Sequence, residues 1–203
     1  MTLPDPFCPY CKSFLAESET KCSFCKSDGG ISEDHKIPMV RSLGRFDDYY
    51  KELIHRFKYG KKIPLGKRLA QRLGETINSD PRFLKSDFLI PVPLHKSRYR
   101  ERGFNQSEIV AEEISKIAGL PLLKNALIRK KNTKDQTNLS FQQREENVKG
   151  AFVVTQPEII NGKRIVLVDD VITTGATLSE CARTLKQAGA EKILGMTIAV
   201  VTD

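Results

Sequence analysis

The run Ile165-Val166-Leu167-Val168-Asp169-Asp170-Val171-Ile172-Thr173-Thr174-Gly175-Ala176-Thr177 limits what this chain can fold into more than any other stretch. Its apolar, largely β-branched start reads as a buried strand that ends in two acids, and a helical pattern follows from Leu178 to Ala188. Between them lies a phosphate-sized loop of hydroxyls around one glycine. The backbone N–H groups of Thr174 to Thr177 would face one concavity, where the dipole of the next helix favours an anion. Gly175 permits close backbone approach, and the threonine hydroxyls add donors. Ligands of open α/β sheets bind at the carboxyl ends of strands, and the acceptor-only carboxylates of Asp169 and Asp170 suit the vicinal hydroxyls of a ribose. The plainer alternative is a buried strand, a polar turn and a capped helix. It leaves paired carboxylates at a buried strand end without a ligand or cation, which is costly.

The chain is long enough for one medium domain with a small appendage. No apolar run reaches the roughly 18 residues of a membrane span, and no basic-then-apolar leader precedes the first cysteine, so a soluble cytoplasmic protein without membrane insertion is expected. The formal net charge of +8 is clustered. Lys51 to Arg72 holds eight basic residues against the single acid Glu52, and Lys124 to Lys134 holds five and no acid. Such stretches face nucleic acid, neutralise a ligand with several phosphates, or form a solvated helix face. No tryptophan is present and the tyrosines are scattered, which gives no sign of a base-stacking platform.

Four of the five cysteines form two Cys-x-x-Cys pairs, Cys8 with Cys11 and Cys22 with Cys25. Each pair is a tight knuckle for one metal, and two knuckles complete a tetrahedral Zn²⁺ site with no open position, hence structural. Metal binding would supply folding energy that a module of this size lacks. Two disulfides are the competing account, disfavoured in a cytoplasmic chain. Residues 1–36 are therefore expected to form a zinc module and linker, and 37–203 the main domain. Cys181, on the helix after the loop, reads as an inert buried thiol.

Within the main domain, helices are expected over Phe46 to Lys58, Ile63 to Ile77 and Arg102 to Ala118, the last capped by Gly119. Asp87 to Pro93 is read as the first sheet strand, followed by Ala126 to Lys130, Ala151 to Val154, Arg164 to Asp170 and Lys192 to Val201. Lys131 to Gln143 is polar and poorly periodic, so a mobile loop is expected, with one helical turn between Phe141 and Val148. Strands alternating with helical patterns indicate a parallel sheet with helices on both faces.

The Asp169 to Thr177 segment resembles the PRPP-binding signature of type I phosphoribosyltransferases (PRPP is 5-phosphoribosyl 1-diphosphate). The resemblance extends through Ile90-Pro91-Val92-Pro93-Leu94-His95, Arg102-Gly103-Phe104-Asn105-Gln106, Arg144-Glu145-Glu146-Asn147-Val148 and the cysteine pairs to the ComF family of competence-associated proteins. It implies the type I phosphoribosyltransferase fold plus an N-terminal zinc ribbon. It also implies that Asp169 and Asp170 hold the ribose hydroxyls, that Thr173, Thr174, Gly175, Ala176 and Thr177 hold the 5′-phosphate, and that Mg²⁺ accompanies PRPP. Pro93, Leu94 and His95, backed by Arg102, are the candidates for the pyrophosphate. Lys131 and Lys134 fall where the superfamily has a basic hood, similar to the loop that closes in orotate phosphoribosyltransferases; a solvated linker is the alternative. Purine phosphoribosyltransferases usually carry an acid where Thr173 stands, and a hydroxyl is a poor general base near neutral pH. The expectation is thus a PRPP-binding, ComF-type protein, implicated by resemblance in DNA uptake, with single-stranded DNA or a DNA-uptake protein as partner. Its rivals are a metabolic phosphoribosyltransferase using a small nitrogen nucleophile and a DNA-binding module that senses PRPP.

Overall fold

The computed structural model describes residues 37, 40–78, 80–133 and 141–201. The four cysteines of the expected zinc module and Lys134 lie outside them. The core is a four-stranded, wholly parallel sheet in the order β1 (Val40–Arg45), β6 (Lys192–Val200), β5 (Arg164–Ile172), β2 (Phe88–Pro91). β5 is central, with Ile165 and Leu167 turned to one apolar core and Val166 and Val168 to the other. A strand covered on both faces must be apolar at every position, which is why 165–168 shows no alternation.

One face is covered by α1 (Asp48–Lys58), α2 (Ile63–Asn78) and α5 (Gln106–Ala118), whose Phe57, Leu73, Ile77 and Ile114 are fully buried with Val166 and Met196. Gly74 brings α2 close enough to α5 that a methyl group there would meet Ile117 at 3.0 Å. Gly66 likewise leaves space for the Phe57 ring, so α1 is keyed into α2 just before its last residue, Lys58. The short α3 (Pro81–Leu84) follows α2, capped by Asp80. Over the other face lie α8 (Ala176–Gln187), α7 (Pro157–Ile160), α6 (Phe141–Val148) and a two-stranded ribbon of β3 (Leu127–Arg129) and β4 (Phe152–Val154). Among the described residues no helix is long and apolar enough to cross a membrane.

Three sequence expectations change. The first sheet strand is Val40–Arg45, not Asp87 to Pro93. It is an edge strand paired only with β6, and only Val40 is fully buried, so its Arg, Ser and Gly positions erase the apolar signal. The expected helix from Arg102 is two helices. His95 caps α4 (Lys96–Arg102), Gly103 breaks it at φ +84°, and Asn105 caps α5. Finally, β3 and β4 are antiparallel and stand apart from the main sheet. Three residues long, with Ile128, Arg129, Val153 and Val154 only half-buried, they lack the two-sided burial of a parallel strand. The free edge of β2 is covered instead by 121–123, where Leu89 donates to the Pro121 carbonyl at 2.8 Å and its own carbonyl accepts from Leu123 at 2.9 Å.

Candidate ligand site at the strand ends

Asp169 and Asp170 stand on the last half of β5, at the carboxyl edge of the sheet. A cavity of about 550 Å³ opens over them. Its lining gathers Pro93, Leu94 and His95 from the end of β2, Arg98 and Arg102 from α4, Thr173 and Thr177 from the loop after β5, and Lys58 from α1. Arg129 of β3 and Arg144 of α6 close the far side. Five cationic side chains thus face two carboxylates, a balance that suits a ligand with several negative charges.

The acid pair is held from below. Asn105 Nδ2 donates to the Val92 carbonyl at 3.0 Å, and its Oδ1 accepts from the Ser107 amide at 3.1 Å, fixing the first turn of α5. Ser107 Oγ then donates to Asp169 Oδ1 at 2.9 Å, and the same oxygen accepts the Asp170 amide at 2.9 Å. Asp170 is paired with Lys58 Nζ. Burial, then the adjacent Asp170 charge, pushes the Asp169 carboxyl up to about 7, while the hydrogen bonds from Asp170 and Ser107 pull it back. Burial pulls the Lys58 ammonium down, but Asp170 and Asp169 outweigh it and the net shift is upward. Burial lowers the guanidinium of Arg129, whose Nε has no hydrogen-bond partner, and raises the thiol of the fully buried Cys181 well above its usual range, keeping it inert.

Beside the acids, a hollow of about 30 Å³ is lined by Thr173, Gly175, Ala176 and Thr177. Gly175 takes φ +79°, a left-handed conformation that turns the chain into α8. Ala176 N–H reaches Thr174 Oγ1 at 3.4 Å, so Thr174 shapes the loop and lines neither cavity. The hollow sits at the amino end of α8, where unpaired N–H groups and the helix dipole favour an anion.

The phosphoribosyl transferase domain family matches residues 101–203. Competence protein F of Haemophilus influenzae is 32% identical over 192 residues, spanning 93% of this chain and 82% of that protein. The chain belongs to the competence protein F family. DNA utilization protein YhgH of Escherichia coli K12 is 30% identical over 92% of this chain and 80% of its own length, and competence protein ComFC of Bacillus subtilis 31% over 73% and 58%. Among solved structures, glutamine PRPP amidotransferase from B. subtilis aligns with a TM-score of 0.44 at 21% identity, over 64% of this chain and 25% of that one.

Of the residues this ComF-family sequence pointed to, Asp169, Asp170, Thr173, Thr177, Pro93, Leu94, His95 and Arg102 share the large cavity, and Gly175 and Ala176 join through the small one. Lys131 does not enter it. Its Nζ donates to the Lys149 carbonyl at 2.7 Å on the surface. His95 is engaged as a helix cap, its Nδ1 within 2.8 Å of Ser97 Oγ. Sequence reasoning missed Lys58, Tyr59, Ser107 and Arg129 as parts of this wall. Lys58 follows the buried Phe57 in an ordinary amphipathic helix, and nothing local marks it as the partner of Asp170. Among the described residues no group of three or more His, Cys, Asp and Glu side chains gathers as a metal cluster.

Proposed function

We propose that this protein binds PRPP in the cavity over Asp169 and Asp170 and acts in the cytoplasmic handling of incoming DNA. The observation that carries this reading is the convergence, around the carboxyl end of β5, of paired carboxylates, a surplus of cations in the large cavity, and an adjoining hydroxyl-lined hollow at a helix amino terminus. In this reading Asp169 and Asp170 accept from the ribose hydroxyls, and Ser107 fixes Asp169 for that task. Thr173 to Thr177 take the 5′-phosphate through backbone N–H groups and hydroxyls. Pro93, Leu94 and His95 carry the chain past the pyrophosphate, with Arg102, Arg98 and Arg129 supplying charge. Lys131 and Lys134 belong to a hood that would close over it and exclude water. Asp169 and Asp170 would hold Mg²⁺ entering with PRPP, and the ion would offset the charge of the diphosphate. The oxygen donors of Asp169, Asp170, Thr173 and Thr177 fit such a hard ion.

Residues 37–203 form the PRPP-binding domain in this reading, and 1–36 a ribbon whose four thiolates, Cys8, Cys11, Cys22 and Cys25, fit a structural zinc. The names of the relatives, competence protein F and DNA utilization protein, support a role with DNA, and the exposed Lys51, Arg56, Lys61, Lys62, Arg68 and Arg72 on and between α1 and α2 support a single-stranded DNA partner. Thr173 at the position of the purine-site acid favours binding of PRPP over its efficient transfer to purines. Calorimetry with PRPP and Mg²⁺ tests the site. Asp169→Asn with Asp170→Asn should weaken binding at least about tenfold, near 1.4 kcal/mol. Unchanged affinity in the double variant would refute the assignment.

A further inference from the structure

Lys58 lies far from every motif of the site, yet its ammonium sits on Asp170, with its side chain 23% exposed and that of Asp170 13%. It reaches there from the last turn of α1, which Phe57 anchors beneath it, fully buried against α2 and tilted against the ring of Phe104 at 5.8 Å. Lys58 lines the cavity; it is not sealed under it. Arg102 stands nearby from α4, close enough to oppose the charge on Lys58, and is itself held by Gln106 Oε1 at 2.8 Å and over the Tyr59 ring at 5.1 Å. Two cations from separate elements therefore converge on the mouth of one carboxylate pair.

That arrangement occupies Asp170 Oδ2, one of the acceptors a ribose hydroxyl would use. A hydroxyl that donates to Asp170 Oδ2 must displace the ammonium, and a diol brings no charge to satisfy the lysine it displaces. A partly buried ammonium left unpaired is costly, so the exchange is favourable only where the incoming molecule carries an anion within reach of Lys58. A diphosphate on the same ribose meets that need, and the flexible four-carbon stem of lysine can follow it. An arginine held in a planar fork would follow it less readily.

We propose that Lys58 is a ligand-exchanging residue: it neutralises Asp170 in the empty site and passes to the pyrophosphate of PRPP when the ribose hydroxyls take the carboxylate. The proposal rests on the PRPP reading above and deepens it, because it makes the site select sugars that carry a diphosphate at C1. Ribose 5-phosphate offers the same hydroxyls and 5′-phosphate but brings no diphosphate to Lys58.

The test is calorimetry of wild type, Lys58→Met and Lys58→Gln against PRPP and ribose 5-phosphate, both with Mg²⁺, with thermal melts to verify folding. Lys58→Met should bind PRPP at least about tenfold more weakly. The same substitution should leave ribose 5-phosphate affinity unchanged or tighter, because the plug on Asp170 is gone. Lys58→Gln removes the charge but keeps a polar side chain, so it carries the test should Lys58→Met fail to fold. If both ligands shift by the same factor, or if PRPP binds either variant as tightly as wild type, Lys58 is a structural counter-ion and the proposal falls while the PRPP site stands. Wild-type protein that binds neither ligand would overturn the PRPP reading itself, and this proposal with it.

Discussion

Neutralising Asp169 should make the unliganded protein more stable while damaging its site. The Asp169 carboxyl titrates near 7 in the folded chain against 3.8 when unperturbed, so between about pH 4 and pH 7 the native state holds a proton that the unfolded state has lost. The sign follows: stability falls as pH rises through that window, and the full penalty is present above it. A shift of this size is worth at most about 4 kcal/mol. The half-buried position of Asp169 at the cavity eases the penalty, so about 2 kcal/mol is expected from one substitution. Asp169→Asn removes the charge, and its amide oxygen can still accept from Ser107 and from the Asp170 amide. Melting followed by circular dichroism should therefore show Asp169→Asn about 5 °C above wild type at pH 8, with the gap closing toward pH 4. PRPP affinity should drop over the same range. A variant less stable than wild type at pH 8, or a gap independent of pH, would refute the view of Asp169 as a strained acid held for a ligand.

Elemental analysis should find about one zinc per chain, and Cys22→Ser should release it and expose 1–36 to protease; reduced, zinc-free protein with that segment intact would defeat the four-thiolate reading. Asn105→Ala should cost about 1 kcal/mol as a lost helix cap, seen in thermal melts. It should also weaken PRPP binding through Ser107 and Asp169, and a loss of stability with unchanged affinity would confine Asn105 to the cap. Pyrophosphate release from PRPP with adenine, guanine, hypoxanthine, uracil or orotate should be weak or absent, and efficient turnover with any of them would make the chain a salvage or biosynthetic enzyme. Retention of single-stranded DNA should fall steeply with salt, as counterion release requires, and no retention even at low salt would remove the physical basis for a DNA partner.

The parts of the fold legible in the sequence were those whose environment is uniform along an element. β5 and β6 are covered on both faces, so their apolar runs announce themselves, and α2 shows one buried stripe from Leu69 to Ile77. β1 was illegible because an edge strand makes half the contacts of a central one and tolerates Arg41, Ser42 and Gly44. Even its polar positions have partners: Arg41 reaches Asp80 at 3.1 Å, and Ser42 meets Thr197 at 2.7 Å. The break at Gly103 was not legible, since the expected helix ran on from Arg102, and only the backbone reveals that α4 ends there and Asn105 caps α5.

The candidate site divides along the same line. A phosphate cradle needs consecutive backbone N–H groups, a residue that tolerates positive φ and a helix start, and these requirements fall on adjacent residues, so Thr173 to Thr177 carries them as a spacing. The acid pair is adjacent for the same reason. The opposite wall asks only for a cation and an aromatic ring delivered from a distance, and any helix with the right position and tilt can supply them. Lys58 and Tyr59 do so from α1, outside the 101–203 region that matches the phosphoribosyl transferase domain family. Their location depends on Gly66 admitting the Phe57 ring and so on how α1 seats against α2. That is a property of packing, with no local pattern to betray it. The part of the cavity proposed to bind phosphate is therefore written in motifs, while the part contributed by α1 is written in the tertiary fit of two helices.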